Sequence, residues 1–142
     1  MVEGVRLDLV EARSRFEAAR VARLATVSED NCPHLVPVTF AVVDEMIAIA
    51  IDHKPKSTVR LRRLANIAVN PQVSLLVDEY DDDWDRLWWV RADGHAQVRE
   101  DGPERTRALE QLIARYGQYQ EVPPTGPVIL VHVTGWTGWS FR

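Results

Sequence analysis

Cysteine, unbroken apolar stretches and an excess of either charge are all scarce in this chain. The single cysteine, Cys32, rules out an internal disulfide and a cysteine metal cluster. It stands beside Pro33 in a polar turn and reads as an incidental thiol, since no nucleophile motif surrounds it. No apolar run approaches the roughly 20 residues that span a bilayer. The first residues lack an apolar signal core, and the expectation is a cytoplasmic protein. A formal net charge of -4 leaves no face-wide cationic excess for nucleic acid. Gly-x-Gly-x-x-Gly, Gly-x-x-x-x-Gly-Lys-Ser/Thr and Gly-x-Ser-x-Gly are all absent, which removes the common nucleotide loops and the nucleophile elbow. The histidines His34, His53, His95 and His132 are scattered and make no zinc pattern.

What remains is an ordinary globular composition, 46% hydrophobic and 27% charged over 142 residues, expected to form one domain spanning residues 1–142. Leu7, Val10, Phe16 and Ala19 mark a helical stripe over residues 7–19. Strands are expected at 21–27, 34–43, 46–51, 73–77, 87–98 and 128–133. The Asp44-Glu45 turn makes the second and third antiparallel neighbours, and Gly94 marks a bend or bulge in the fifth. A helix should follow Lys56 and stop near Asn70, ahead of Pro71. Another should run from Pro103 to Tyr116 and end at Gly117. Six strands with two or three helices predict a mainly β fold, an antiparallel barrel with peripheral helices.

One segment carries a chemical signal. After the strand ending at Ile51 come His53-Lys54-Pro55-Lys56-Ser57-Thr58. Ser57 or Thr58 can cap the helix that follows, and two lysines flank that cap. Helix starts offer unpaired N–H groups and partial positive charge, so this turn suits a phosphate. The acidic run from Asp78 to Asp85 lacks the glycine and distal glutamate of a calcium loop and reads as a solvated loop. Trp88 and Trp89 are adjacent in a strand and face opposite sides. One can fill the core, while the other meets a flat aromatic ligand or a second copy of the chain. No side-chain constellation for acid–base or nucleophilic catalysis is visible, as in enzymes whose bound cofactor carries the chemistry.

The order Arg23-Leu24-Ala25-Thr26-Val27, Pro33-His34-Leu35-Val36-Pro37-Val38, Lys54-Pro55-Lys56-Ser57-Thr58 and Arg63-Leu64-Ala65-Asn66-Ile67 resembles the flavin and deazaflavin oxidoreductases of the pyridoxamine-phosphate-oxidase-like split barrel. Val77-Asp78, Asp83-Trp84, Gly94-His95-Ala96 and the tryptophan-rich end extend the likeness over nearly the whole chain. Within that family the chain looks most like the branch using coenzyme F420. The resemblance implies a six-stranded antiparallel split β-barrel of the FMN-binding type. It implies a homodimer with the cofactor (F420, or FMN as the alternative) at the subunit interface and a small-molecule substrate.

The implied cofactor ring lies along residues 35–39, giving Val36, Pro37, Val38 and Thr39 as candidates. The implied phosphate contacts are Lys54, Lys56, Ser57 and Thr58, with Arg62 or Arg63 and Asn66. Trp136 or Trp139, of the same chain or of the partner copy, would close the ring pocket. The implied reaction is hydride transfer to an electron-poor double bond; no proton donor is assigned, though His34 and His53 are candidates. The vitamin B6 oxidases of this family end in Arg-Leu-x-Pro, whereas this chain ends Gly138-Trp139-Ser140-Phe141-Arg142, which argues against that substrate.

Overall fold

The computed structural model describes residues 4–51 and 61–142. In chain order the elements are β1 (Val5–Arg6), α1 (Leu9–Ala18), β2 (Ala22–Val27), β3 (Pro33–Val38), β4 (Ala41–Val43), β5 (Met46–Ala50), α2 (Arg62–Val69), β6 (Gln72–Glu79), β7 (Trp88–Arg99), α3 (Pro103–Arg115), α4 (Gly117–Glu121) and β8 (Val128–Ser140). A single 3-10 turn, Trp84–Arg86, precedes β7.

The six-strand expectation needs correcting. Eight strands form one antiparallel sheet ordered β3-β2-β6-β7-β8-β5-β4, with β1 pairing separately to β8. Among the described residues no pairing joins β3 to β4, so the sheet is not a closed barrel. Yet β3 and β4, at opposite ends of this path, are consecutive in the chain and separated only by Thr39 and Phe40. Such a short link forces the sheet to curl until its two ends nearly meet. The expected strand over residues 34–43 is in fact two strands, bent at that corner.

The last strand also exceeds its expected span. It runs through Thr134, Trp136 and Trp139 to Ser140 and pairs along its length with β7. Gly94 sits at a register shift in this ladder, as its sequence position predicts. A Cβ there would lie 2.3 Å from the His132 carbonyl oxygen, so only glycine fits.

Side-chain alternation divides the core into two layers. Leu24, Val73, Leu75, Val77, Val90 and Ala92 face inward, where Phe16 of α1 and Ile67 of α2 pack on them. The β5 run Ile47-Ala48-Ile49-Ala50-Ile51 is buried on both faces. Its isoleucines join the inner layer, and its alanines join a second layer with Ala108 and Leu112 of α3. Small residues on that side let α3 approach the sheet closely.

Helix ends follow local chemistry. The Asp8 carboxylate accepts from the Glu11 N–H at 2.8 Å and caps α1. Gly102, at φ 96°, admits the chain to Pro103 at the start of α3. The N-cap of α2 is Leu61, which has no side-chain acceptor. Ser57, Thr58, Lys54, Lys56 and His53 lie outside the described residues. The helix α4 carries no strong sequence signal and was not expected.

The acidic loop is held by the chain itself. Asp81 and Asp83 accept backbone N–H groups two residues on, at 2.8 and 3.2 Å, and Arg142 pairs with Asp85 at 2.6 Å. Among the described residues no helix is long and apolar enough to cross a membrane.

Candidate ligand cleft at the split of the sheet

The corner at Thr39 and Phe40 is pinned by one tyrosine. Tyr116, at the end of α3, accepts the Phe40 N–H at 3.1 Å and the Arg115 Nε–H at 3.2 Å. Its own proton has two carbonyls in reach, Phe40 at 2.9 Å and Arg20 at 3.0 Å. Arg115 also donates to the Ala19 carbonyl, and the Arg20 guanidinium stacks 4.6 Å from the Tyr116 ring. This network ties the end of α1, the start of β2 and the corner to α3. The two Tyr116–Phe40 bonds are buried, so those polar groups need their partners.

Beside the corner opens a cleft of about 340 Å³, lined by Val21, Pro37, Val38, Thr39, Ile49, Ala50, Arg63, Tyr116, Gln118 and Tyr119. Aliphatic and aromatic walls predominate. The polar groups are few: the Thr39 hydroxyl, the Arg63 guanidinium, the Gln118 amide and the Tyr119 phenol, which lies 2.8 Å from the Thr39 oxygen. An apolar slot with a few convergent polar groups is the usual form of a small-ligand site. Ala50 and Arg63, which flank the segment carrying Lys54 and Lys56 in the sequence, both line it. The donor set fits the acceptor-rich edge of a flavin-type ring or its phosphate, since Arg63 can only donate and the hydroxyls can.

The expected site residues fall into separate places. Pro37, Val38, Thr39 and Arg63 come together in the cleft. Val36 packs against the inner core. Arg62 is exposed and does not line the cleft. Asn66 is buried inside the sheet, where its amide donates to the Thr26 hydroxyl at 2.9 Å and holds α2 on β2. Trp136 packs edge-on against Phe16, ring centres 5.1 Å apart.

Trp139 stands opposite Trp89 and lines a second cavity of about 470 Å³ with Leu76, Asp78, Glu79, Tyr80, Trp84, Leu87, Trp88, Trp89 and Arg91. The opposed-face expectation holds in part: Trp88 packs against the inner core, yet both tryptophans reach this cavity. The strand β2 separates the two cavities. Its Arg23 has as neighbours Pro37, in the cleft wall, and Leu76, in the aromatic cavity.

Sequence reasoning missed the α3–α4 wall. Tyr116, Gln118 and Tyr119 supply a whole side of the cleft. The available signal was Tyr116-Gly117-Gln118-Tyr119, two tyrosines three residues apart just past a helix end.

A curled antiparallel sheet, split at one corner and opening there into a ligand-sized cleft, defines a split-barrel protein. The chain belongs to the family described as pyridoxamine 5'-phosphate oxidase, whose model matches residues 10–140. Solved structures share the fold at low identity. A conserved hypothetical protein of Mycobacterium tuberculosis is 21% identical over 100% of this chain and 89% of its own, with a TM-score of 0.79. An FAD-binding protein of Mesorhizobium loti is 21% identical, covering 95% and 94%, with a TM-score of 0.72. A haem storage protein of Vibrio cholerae is 20% identical, covering 94% and 95%, with a TM-score of 0.74. A search of curated proteins finds no match.

Proposed function

We propose that this chain is a cytoplasmic oxidoreductase that holds a flavin-type cofactor in the cleft beside the Thr39–Phe40 corner, with coenzyme F420 as its cofactor and FMN as the alternative. The supporting observation is the cleft itself: mostly apolar walls around about 340 Å³, with the donor-bearing side chains of Thr39 and Arg63 among its lining. Family membership supports the same reading. The bound cofactor supplies hydride for an electron-poor double bond of a small organic substrate.

The chain's own residues bind and orient. Pro37, Val38 and Ile49 offer apolar contact to a ring, Arg63 pairs with an anionic or carbonyl oxygen, and the Tyr116 network keeps the cleft wall from shifting. Positioning of this kind is the protein's share of such a reaction. Lys54, Lys56, Ser57 and Thr58 are proposed to bind the phosphate.

The functional molecule is proposed to be a homodimer. Leu35 and Leu76 are exposed on the face of the sheet opposite the inner core, at 66% and 37%, which favours covering by a second copy.

Titration of the purified protein with F420 and with FMN, followed by fluorescence, tests the cofactor. Tighter binding of FMN overturns the F420 assignment, and binding of neither overturns the oxidoreductase reading. A second reading, a non-catalytic flavin, F420 or haem carrier, is favoured by the likeness to the V. cholerae haem storage protein. Turnover of quinones or enones by the cofactor-loaded protein excludes it.

A further inference from the structure

We propose that the aromatic cavity at the joined ends of β6 and β7 is a second ligand site, one that takes a small organic cation. It is separate from the corner cleft and does not rest on the cofactor reading above. The walls are the first ground. Trp84, Trp88, Trp89, Trp139 and Tyr80 line a space of about 470 Å³. The faces of aromatic rings carry partial negative charge and attract cations, tryptophan most strongly.

The chain already uses two of these rings in that way. The Arg91 guanidinium lies 5.8 Å from the Trp89 ring centre, and that of Arg15 lies 5.4 Å from Trp88. Among the described residues no cation of the chain stands over Trp84 or Trp139. Each of those two meets the Phe141 ring edge-on, at 6.4 and 6.3 Å.

Charge is the second ground. Asp78, Glu79 and Arg91 line the cavity. Arg91 pairs with Asp93 at 3.1 Å, and Asp78 with Arg23 at 3.7 Å. Glu79 is left over: among the described residues its carboxylate has no hydrogen-bond or ion-pair partner. The turn that follows adds Asp81, Asp82, Asp83 and Asp85, against Arg86 and Arg142. The local field is therefore negative. It favours a cation and opposes the phosphates and carboxylates that suit Arg63 in the corner cleft.

The apolar walls narrow the class further. A bare metal ion needs oxygen ligands in place of its water, and among the described residues no three acidic, histidine or cysteine groups cluster to hold one. An ammonium or iminium group on an apolar body satisfies both walls and charge. The open rim is at Tyr80 and Trp84, 68% and 47% exposed, in the turn beyond the strand ends.

The test titrates phenyltrimethylammonium, and tert-butylbenzene as its uncharged isostere, into full-length wild type, Glu79→Gln and Trp84→Ala. Tryptophan fluorescence and calorimetry give Kd, and sedimentation gives the mass at the same concentrations. The cation is expected to bind wild type about tenfold more tightly than the isostere. Glu79→Gln is expected to weaken the cation about two- to fivefold, a loss that shrinks as salt is raised. Trp84→Ala is expected to weaken it about three- to tenfold. Saturating FMN is expected not to displace it.

Equal affinity for cation and isostere overturns the proposal, as does the absence of saturable cation binding to wild type. Wild-type affinity in Glu79→Gln is equally fatal, whatever the folding of Trp84→Ala. Displacement by FMN merges the two cavities into one site and overturns it. Binding confined to dissociated monomer assigns the cavity to the second copy and also overturns it.

Discussion

The two cavities on either side of β2 are built on opposite plans. The cleft at the corner is walled by aliphatic groups and two tyrosines, and each tyrosine hydroxyl has a partner inside the protein. The aromatic cavity is walled by four tryptophans and Tyr80. Its polar groups largely pair along the surface, Asp78 with Arg23 at 3.7 Å and Arg91 with Asp93 at 3.1 Å. Trp84 and Tyr80 remain 47% and 68% exposed. Internally paired hydroxyls belong to the first cavity, and bare apolar area to the second. The contrast teaches that cavity size alone does not choose the functional site, since the larger cavity has the less organised polar groups.

Substitutions can break or sharpen this contrast. The largest expected effect is at Arg63. Arg63→Ala should weaken FMN or F420 binding by about 1.5–3 kcal/mol, the range for a charged hydrogen bond, measured by calorimetry. Trp84→Ala should leave that affinity unchanged, and an equal loss in both variants would erase the distinction between the cavities. Next comes Tyr116→Phe, which strands the buried Phe40 N–H and should cost about 1–3 kcal/mol of unfolding free energy in urea.

Asn66→Ala should cost about 1 kcal/mol of stability through the Thr26 bond while sparing cofactor affinity. A selective loss of binding would return Asn66 to the ligand. The smallest effect is at Trp84→Ala itself, within about 0.5 kcal/mol of wild-type stability, as for other exposed positions. A fall in sedimentation mass in that variant would make the aromatic cavity part of the contact between copies.

Much of the architecture was readable from pattern. The helices over α1 and α3 and the strands β2, β5, β6 and β7 follow from apolar spacing and from turn residues such as Asp44, whose φ is 57°. The bulge at Gly94 was readable because glycine inside a strand has few other uses. The corner at Thr39 and Phe40 was not readable. Residues 34–43 form one β-compatible run, and only the meeting of the sheet's ends imposes the bend. The extension of β8 through Trp139 was hidden by Gly135 and Gly138, which look like loop punctuation.

The site was legible by halves. Pro37, Val38, Thr39 and Arg63, apart in the sequence, line one cleft. Asn66, Trp136 and Trp139 share that pattern but point elsewhere, because residue type does not reveal which side of a helix or strand faces the cleft. Tyr119 escaped notice because it lies 80 residues from its partner Thr39, a separation that local pattern does not bridge.

The dipeptide at the corner is also a mechanical hinge-pin. Because Thr39 and Phe40 fasten one margin of the curled sheet to the other, widening the mouth beside them means unrolling the whole structure. A ligand held against this corner should therefore register as slower deuterium uptake at the Phe40 amide, far from any redox assay.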